Sequence, residues 1–437
     1  MDWPIILILL FAGLIILMLT GMQIFLAFMI INLVGVVVLF GFNNGMTQFT
    51  LSISSSLNSF VLVPIPMFML LGEILFRTGV AGKVVEVIDQ WMGKMPGRLG
   101  LMSVLAGTVF AVLTGTSAAS TALLGTMLTP EMEKQGYKKS MSLGPILGSG
   151  GLAILIPPSS LAIMLGAIGE ISIGKLLIAI IVPGLLVAAL CAGYIILRCV
   201  IDPSQAPPYR VEPVSISKKL KDTVIYVLPL TLVVFLVIGV VILGVATPTE
   251  AAASGCVGAF ILAALYRKLN LEVIHEAILD TVKNSAMILI IIAASTTFSQ
   301  ILSFSGAGRG FVNAVTVLDV APMVIIALMM GVIAVMGGFM SLVSIMMICL
   351  PIFMPVVRGL GFSDVWFGVI FLINIEMAML TPPLGMNLYV MAGVAPKDTT
   401  MMDIIKAAVP FMVIDVLSII IIMFVPQIAL WLPSLMT

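Results

Sequence analysis

Two short stretches carry the chemistry open to this chain: ILIPPSSLAIM at residues 154–164 and MLTPPLGMNLY at residues 379–389. Proline removes a backbone donor and clashes with the turn before it, so each Pro-Pro pair ends one half-helix and begins another. Carbonyls just ahead of the pair are freed. In an apolar setting such groups are tolerated where they are buried in protein or line a cavity, and a bound cation is their natural partner. Two further stretches, GTSAAS at 115–120 and GGFMSLVS at 337–344, supply hydroxyls. Hard monovalent cations prefer such oxygen ligands, and two sodium sites are expected. Thr116 and Ser117 offer hydroxyls to the first, and Ser341, Ser344 and Thr381 to the second, each beside the carbonyls freed ahead of its proline pair. The bland alternative is that Pro, Gly and Ser here only permit kinks and close helix packing. Occurrence of the device twice weighs against it.

Beyond the first proline pair, Ser159 and Ser160 occupy the opening turn of the distal half-helix, where free N–H groups can face an anion. Four acids lie within apolar runs, where charge is expensive and tends to be functional. Glu73 precedes Arg77 by four residues, an ordinary helical pair. Glu250, in ATPTEAAA, suits the first turn of a helix. Glu376 and Asp415 have no such account, and Glu376 is the candidate for proton coupling, the alternative to sodium. Cys191, Cys199, Cys256 and Cys349 show no CxxC spacing, and His275 stands alone in a polar connection. Disulfide, zinc and Ser-His chemistry therefore lack their usual parts, so neither an enzyme nor an organic cofactor is expected. A formal net charge of zero gives no reason to expect nucleic acid.

These residues must be positioned by membrane helices. The chain is 61% hydrophobic and 9% charged, against about 25% charged in soluble domains, and its apolar runs lack period-2 alternation. An all-α polytopic membrane protein follows. Residues 201–222, rich in proline and charge, divide six apolar runs in 1–200 from six in 223–437. An offset of 225 residues brings Pro130 onto Pro355, Gly136 onto Gly361 and Pro157 onto Pro382, which argues for an internal repeat. Lysines and arginines flank 101–130 on both sides, so that run is expected to enter and return on the cytoplasmic face as a re-entrant hairpin, with 321–357 as its counterpart from the other face. Broken helices are expected over 141–168 and 365–395. Five crossings per half make the repeat inverted, with 201–222 a cytoplasmic linker and both termini periplasmic. Segments 79–98 and 266–283 are charged yet carry spaced apolar residues, as interfacial helices do.

The order GTSAASTALLGTMLTPEMEKQGY, ILIPPSS, GVATPTEAAA and TPPLGMNLYV resembles the large membrane subunit of tripartite ATP-independent periplasmic (TRAP) transporters, over essentially the whole chain. The resemblance implies sodium-driven uptake of an organic acid across a bacterial inner membrane. A periplasmic binding protein would deliver the substrate, and a small four-helix membrane subunit would be a partner. Because the chain opens at the large subunit's first helix, that subunit is expected as a separate protein. An elevator is also implied, in which hairpins and broken helices slide as a transport domain against a scaffold of the other long helices and interfacial segments. The resemblance carries the ion sites onto Ser117 with Gly151, Leu155, Ile156 and Pro157 and onto Ser341 with Leu380, Thr381 and Pro382, and Ser159, Ser160 and Asn387 would bind the substrate between them. Dicarboxylates, keto acids and sialic acids are the substrate classes, with the look of LGPILGSGGLAILIPPSS leaning towards sialic acid. The competing reading is a self-sufficient sodium- or proton-coupled carboxylate symporter; an intramembrane enzyme would need a nucleophile and base that the sequence does not offer, and a plain channel accounts less well for paired helix breaks.

Overall fold

The computed structural model describes residues 2–93, 95–114, 116–208, 214–317, 319–383 and 385–436, and its regular elements are all helical. Helices satisfy their backbone groups within the segment, the condition that lipid imposes. Seven of them are long and apolar enough to cross a membrane, or eight if a bent pair counts as one span. In the first half run α1 (Trp3–Leu19), α2 (Ile24–Phe40), α3 (Phe42–Leu57), α4 (Pro64–Arg77), α5 (Val80–Met92), α6 (Arg98–Thr114), α7 (Ser117–Lys134), α8 (Lys139–Gly150), α9 (Leu152–Leu155), α10 (Ser160–Ile168), α11 (Ile173–Ala179) and α12 (Ile181–Ile201). The second half holds α13 (Ile216–Ile242), α14 (Pro248–Leu265), α15 (Leu271–Phe304), α16 (Ala307–Thr316), α17 (Pro322–Gly337), α18 (Leu342–Gly359), α19 (Asp364–Ala378), α20 (Met386–Val394) and α21 (Met401–Phe424).

Each half thus contains a helical pair, α6–α7 and α17–α18, followed by an interrupted helix, α8–α10 and α19–α20, at the places the prolines and small residues indicate. The first interruption bends its helix by 48°. Contacts between halves are reciprocal: α10 packs on α18, and α20 packs on α7, while α9 packs on α6, α7 and α19. The core lies where these segments meet. Trp366 to Ala378 are buried without interruption, so α19 is enclosed by protein all round.

Two elements differ from expectation. The segment 266–283 does not form a separate interfacial helix, because from Leu271 onward it is the start of the 34-residue helix α15. No Gly or Pro interrupts 271–304, so nothing breaks the backbone ladder. Arg77 at the end of α4 bonds Glu276 and Asp280, which gives the polar extension a partner. Helix α3 was not anticipated, since FNNGMTQFTLSISSSL reads as a polar connection; the buried Ser52–Thr297 hydroxyl contact at 2.9 Å ties it to α15. Within the expected linker 201–222, residues from Ile216 onward are helical and open α13. Within α13, Thr223–Val227 is wound as a π-helix, and the Tyr266 hydroxyl donates to Ile225 O at 2.5 Å.

Candidate functional site

Gly115, in the expected tip of hairpin one, lies outside the described residues, and Thr116, exposed, directly precedes α7. Ser117 opens α7 and is buried. Its hydroxyl accepts a hydrogen bond of 2.6 Å from the Asn387 amide, which arrives from the opening turn of α20 in the other half of the chain. The tip of hairpin one and the second broken helix therefore share a buried polar contact. Asn387 has 0% exposure, and its Oδ1 has no hydrogen-bond partner. One turn on from Ser117, Thr121 is likewise 0% exposed with an unpartnered Oγ1. The end of α8 closes onto this place: a Cβ added at Gly150 would strike the Thr121 hydroxyl and lie 3.4 Å from the Ser117 carbonyl oxygen. Buried oxygens without donors suit a cation, which needs lone pairs and brings no acceptor of its own.

The next residue, Gly151, faces the Glu376 side chain so closely that any Cβ there would overlap the carboxylate. The first helix interruption thus rests on α19 just ahead of the second. Glu376 is 1% exposed, and its Oε2 has no partner. The ionisable group acting on it is Asp415 of α21, itself 3% exposed, with the Cys191 thiol of α12 near both. Other members of the first expected set spread out from here. The Leu155 carbonyl faces α12, where a Cβ at Gly184 would sit 2.8 Å away. Ile156 is half-buried, and Pro157 lines an apolar cavity with Phe68, Val237 and Pro248. Ser159 is fully buried and caps α10, accepting from the Ala162 N–H at 3.2 Å, while Ser160 follows at partial burial.

The second set gathers at the tip of hairpin two. Ser341 caps α18: its hydroxyl accepts from the Ser344 N–H at 3.2 Å and shares a 2.7 Å hydrogen bond with the Ser344 hydroxyl. Gly338 approaches the Pro382 carbonyl, to which a Cβ would stand only 2.8 Å away. The hairpin tip therefore sits beside the helix break. At the break, the N–H groups of Gly385 and Asn387 close onto the carbonyls of Thr381 and Met379 at 2.9 and 3.1 Å. The Thr381 hydroxyl donates to Met377 O at 2.9 Å, and Leu380 is buried beside it. Both proline pairs, Pro157–Pro158 and Pro382–Pro383, are joined by cis peptide bonds.

Sequence reasoning missed Thr121, although its i, i+4 spacing from Ser117 puts both on one face of a helix. It also missed Asn374, buried in α19, whose amide donates to Met330 O at 2.7 Å and whose Oδ1 is unpartnered. The readings of the two marginal acids hold: Glu73 pairs with Arg77 at 3.3 Å, and Glu250 forms a reciprocal capping box with Thr247.

Residues 11–428 match the family described as tripartite ATP-independent periplasmic transporter, DctM component. The C4-dicarboxylate TRAP transporter large permease protein DctM of Pseudomonas aeruginosa is 32% identical over 86% of both chains. The protein of the same description from Rhodobacter capsulatus is 32% identical over 98% of both. Among solved structures, the YdaH transporter of Alcanivorax borkumensis shares the fold at 15% identity, with a TM-score of 0.66 over 94% of this chain and 99% of that one. With the membrane helices, paired hairpins and interrupted helices already in place, the match over nearly the whole length has one meaning: the chain belongs to the DctM component family of tripartite ATP-independent periplasmic transporters.

Proposed function

We propose that the chain drives uptake of an organic acid with an inward sodium gradient, moving hairpins and broken helices as one transport body against a scaffold of the remaining helices. The observation that carries this reading is the buried Asn387–Ser117 hydrogen bond with the unpartnered oxygens Asn387 Oδ1 and Thr121 Oγ1. Sodium would take these oxygens at the tip of hairpin one, and a second ion would sit among Ser341, Ser344, Thr381 and the freed carbonyls near Leu380 and Pro382. Ser159, Ser160 and Asn387 would face the substrate carboxylate between them. The two halves act as inverted repeats, 1–200 and 223–437, in a bacterial inner membrane with both termini periplasmic. A periplasmic binding protein delivers the acid, and a small four-helix membrane subunit completes the assembly.

Two relatives at 32% identity carry names that specify C4-dicarboxylates, which favours a dicarboxylate over the sialic acid suggested by the motifs. The second reading, a proton-coupled symporter without a binding protein, draws on the unpartnered Glu376 carboxylate beside Asp415. Uptake of labelled succinate and sialic acid into proteoliposomes distinguishes them, using this chain with its small partner, a sodium or proton gradient, and the binding protein present or absent. Uptake that needs both sodium and the binding protein supports the proposal. Uptake that follows the proton gradient and ignores the binding protein overturns it.

A further inference from the structure

A groove of about 630 Å³ lies between α5, α6 and α12 and is closed at one end by the start of α13. Its volume falls within the roughly 300–1,000 Å³ typical of small-molecule sites. Val87, Ile88, Leu105, Leu185, Ala188 and Ala192 make its walls apolar. The two hydroxyls that reach it are already engaged: Thr108 donates to Val104 O at 2.9 Å, and Thr223 donates to Lys219 O at 2.7 Å while accepting from the Trp91 indole at 2.9 Å. Such a groove offers little to a polar solute and much to a hydrocarbon chain.

At its α13 end the groove turns basic. Lys219 stands 5.6 Å over the Trp91 ring, and Lys218 and Lys221 belong to the same turn of helix. Glu86 pairs with Lys83 and Asp89 with Arg98, while Asp222, which accepts from the Gln90 amide at 3.0 Å, keeps its charge, so three lysines outnumber one uncompensated carboxylate on this turn. Among the described residues none of the three lysines has an ion-pair partner. An indole and lysines at one end of an apolar groove match the division between headgroup and acyl chain in a bilayer, and clustered lysines select anionic lipids. We propose that this groove is a binding site for an anionic phospholipid, with one acyl chain between α5, α6 and α12 and the phosphate beside Lys219, in the positive field to which Lys218 and Lys221 add. Since α6 is the first arm of hairpin one, the lipid would touch the element that ends at the Ser117 site.

The test is native mass spectrometry of the full chain in detergent, offered an equimolar mixture of phosphatidylglycerol and phosphatidylcholine. Phosphatidylglycerol should be retained about tenfold over phosphatidylcholine. Lys218→Gln, Lys219→Gln and Lys221→Gln together should remove that preference, and Ala188→Trp, which fills the groove, should remove retention of either lipid. Millimolar inorganic phosphate should displace nothing. Equal retention of both lipids by the unaltered chain, an undiminished preference in the lysine variant, or displacement by phosphate would each overturn the proposal. The lysine positions lie at the surface and do not pack in the core, so that variant decides the matter even if Ala188→Trp fails to fold.

Discussion

At the scale of single residues, the site depends on contacts that tolerate little change. Asn387→Ala removes the donor to Ser117 together with Oδ1, one of the oxygens proposed to hold the cation. Losing a buried hydrogen-bond partner costs about 1–3 kcal/mol, so the sodium concentration for half-maximal uptake should rise on the order of tenfold or more. Thr121→Val keeps the shape and deletes the hydroxyl, and it should weaken sodium activation without lowering the melting temperature greatly. Unchanged sodium dependence in both variants would remove them from the ion site. Gly151→Ala places a methyl in the space of the Glu376 side chain, inside a packed core where overpacking costs about 1–3 kcal/mol. Its thermal stability should fall, and the double variant Gly151→Ala/Glu376→Ala should recover most of the loss. Additive losses instead would mean that the two residues do not share the space.

At the scale of elements, the turn after α12 is tied to the connection between α7 and α8. Lys138 N–H donates to Gln205 O at 3.0 Å, Ser140 donates to the Gln205 side chain at 2.9 Å, and Lys138 Nζ lies 3.6 Å from Asp202. Hydrogen bonds to the Asp202 carboxylate from Ser204 and then Gln205 hold it well below the usual carboxylate range. A carboxyl whose folded pKa is depressed contributes stability above its unfolded pKa and loses it as pH falls towards the folded value. The clasp should therefore loosen in acid, below about pH 4. Protection of the Lys138 amide, its exchange taken relative to the intrinsic rate at each pH, should fall there, and Asp202→Asn should abolish that acid dependence. A Lys138 amide that exchanges identically in both proteins at every pH would disprove the clasp.

At the scale of the whole molecule, the proposed sliding predicts which contacts can be locked. Gly359, the last residue of hairpin two, faces Val312 of α16, with a Cβ placed 3.0 Å from its Cγ1. Gly359→Cys with Val312→Cys would join the transport body to a scaffold helix, so oxidation should stop uptake and a reductant should restore it. Gly125 on α7 faces Val394 on α20, both within the transport body. Oxidation of Gly125→Cys with Val394→Cys should leave uptake nearly intact. Full uptake by the oxidised first pair would rule out sliding at that boundary.

Hydropathy and the paired prolines determined much from the sequence alone: an all-helical membrane protein, helix-turn-helix pairs near 101–130 and 321–357, and interruptions near 157 and 382. These follow from local rules, because proline acts on its own backbone and an apolar run must satisfy its own hydrogen bonds in lipid. The continuity of α15 was legible in the absence of Gly and Pro, yet charge in its first third obscured it. Only the tertiary structure decided that Asn387 reaches Ser117 across 270 positions, that Gly151 rests on Glu376, and that Pro157 packs among apolar side chains such as Phe68 and Val237. Such pairings depend on how helices from opposite halves cross, and no local propensity in either half encodes the partner that the other supplies.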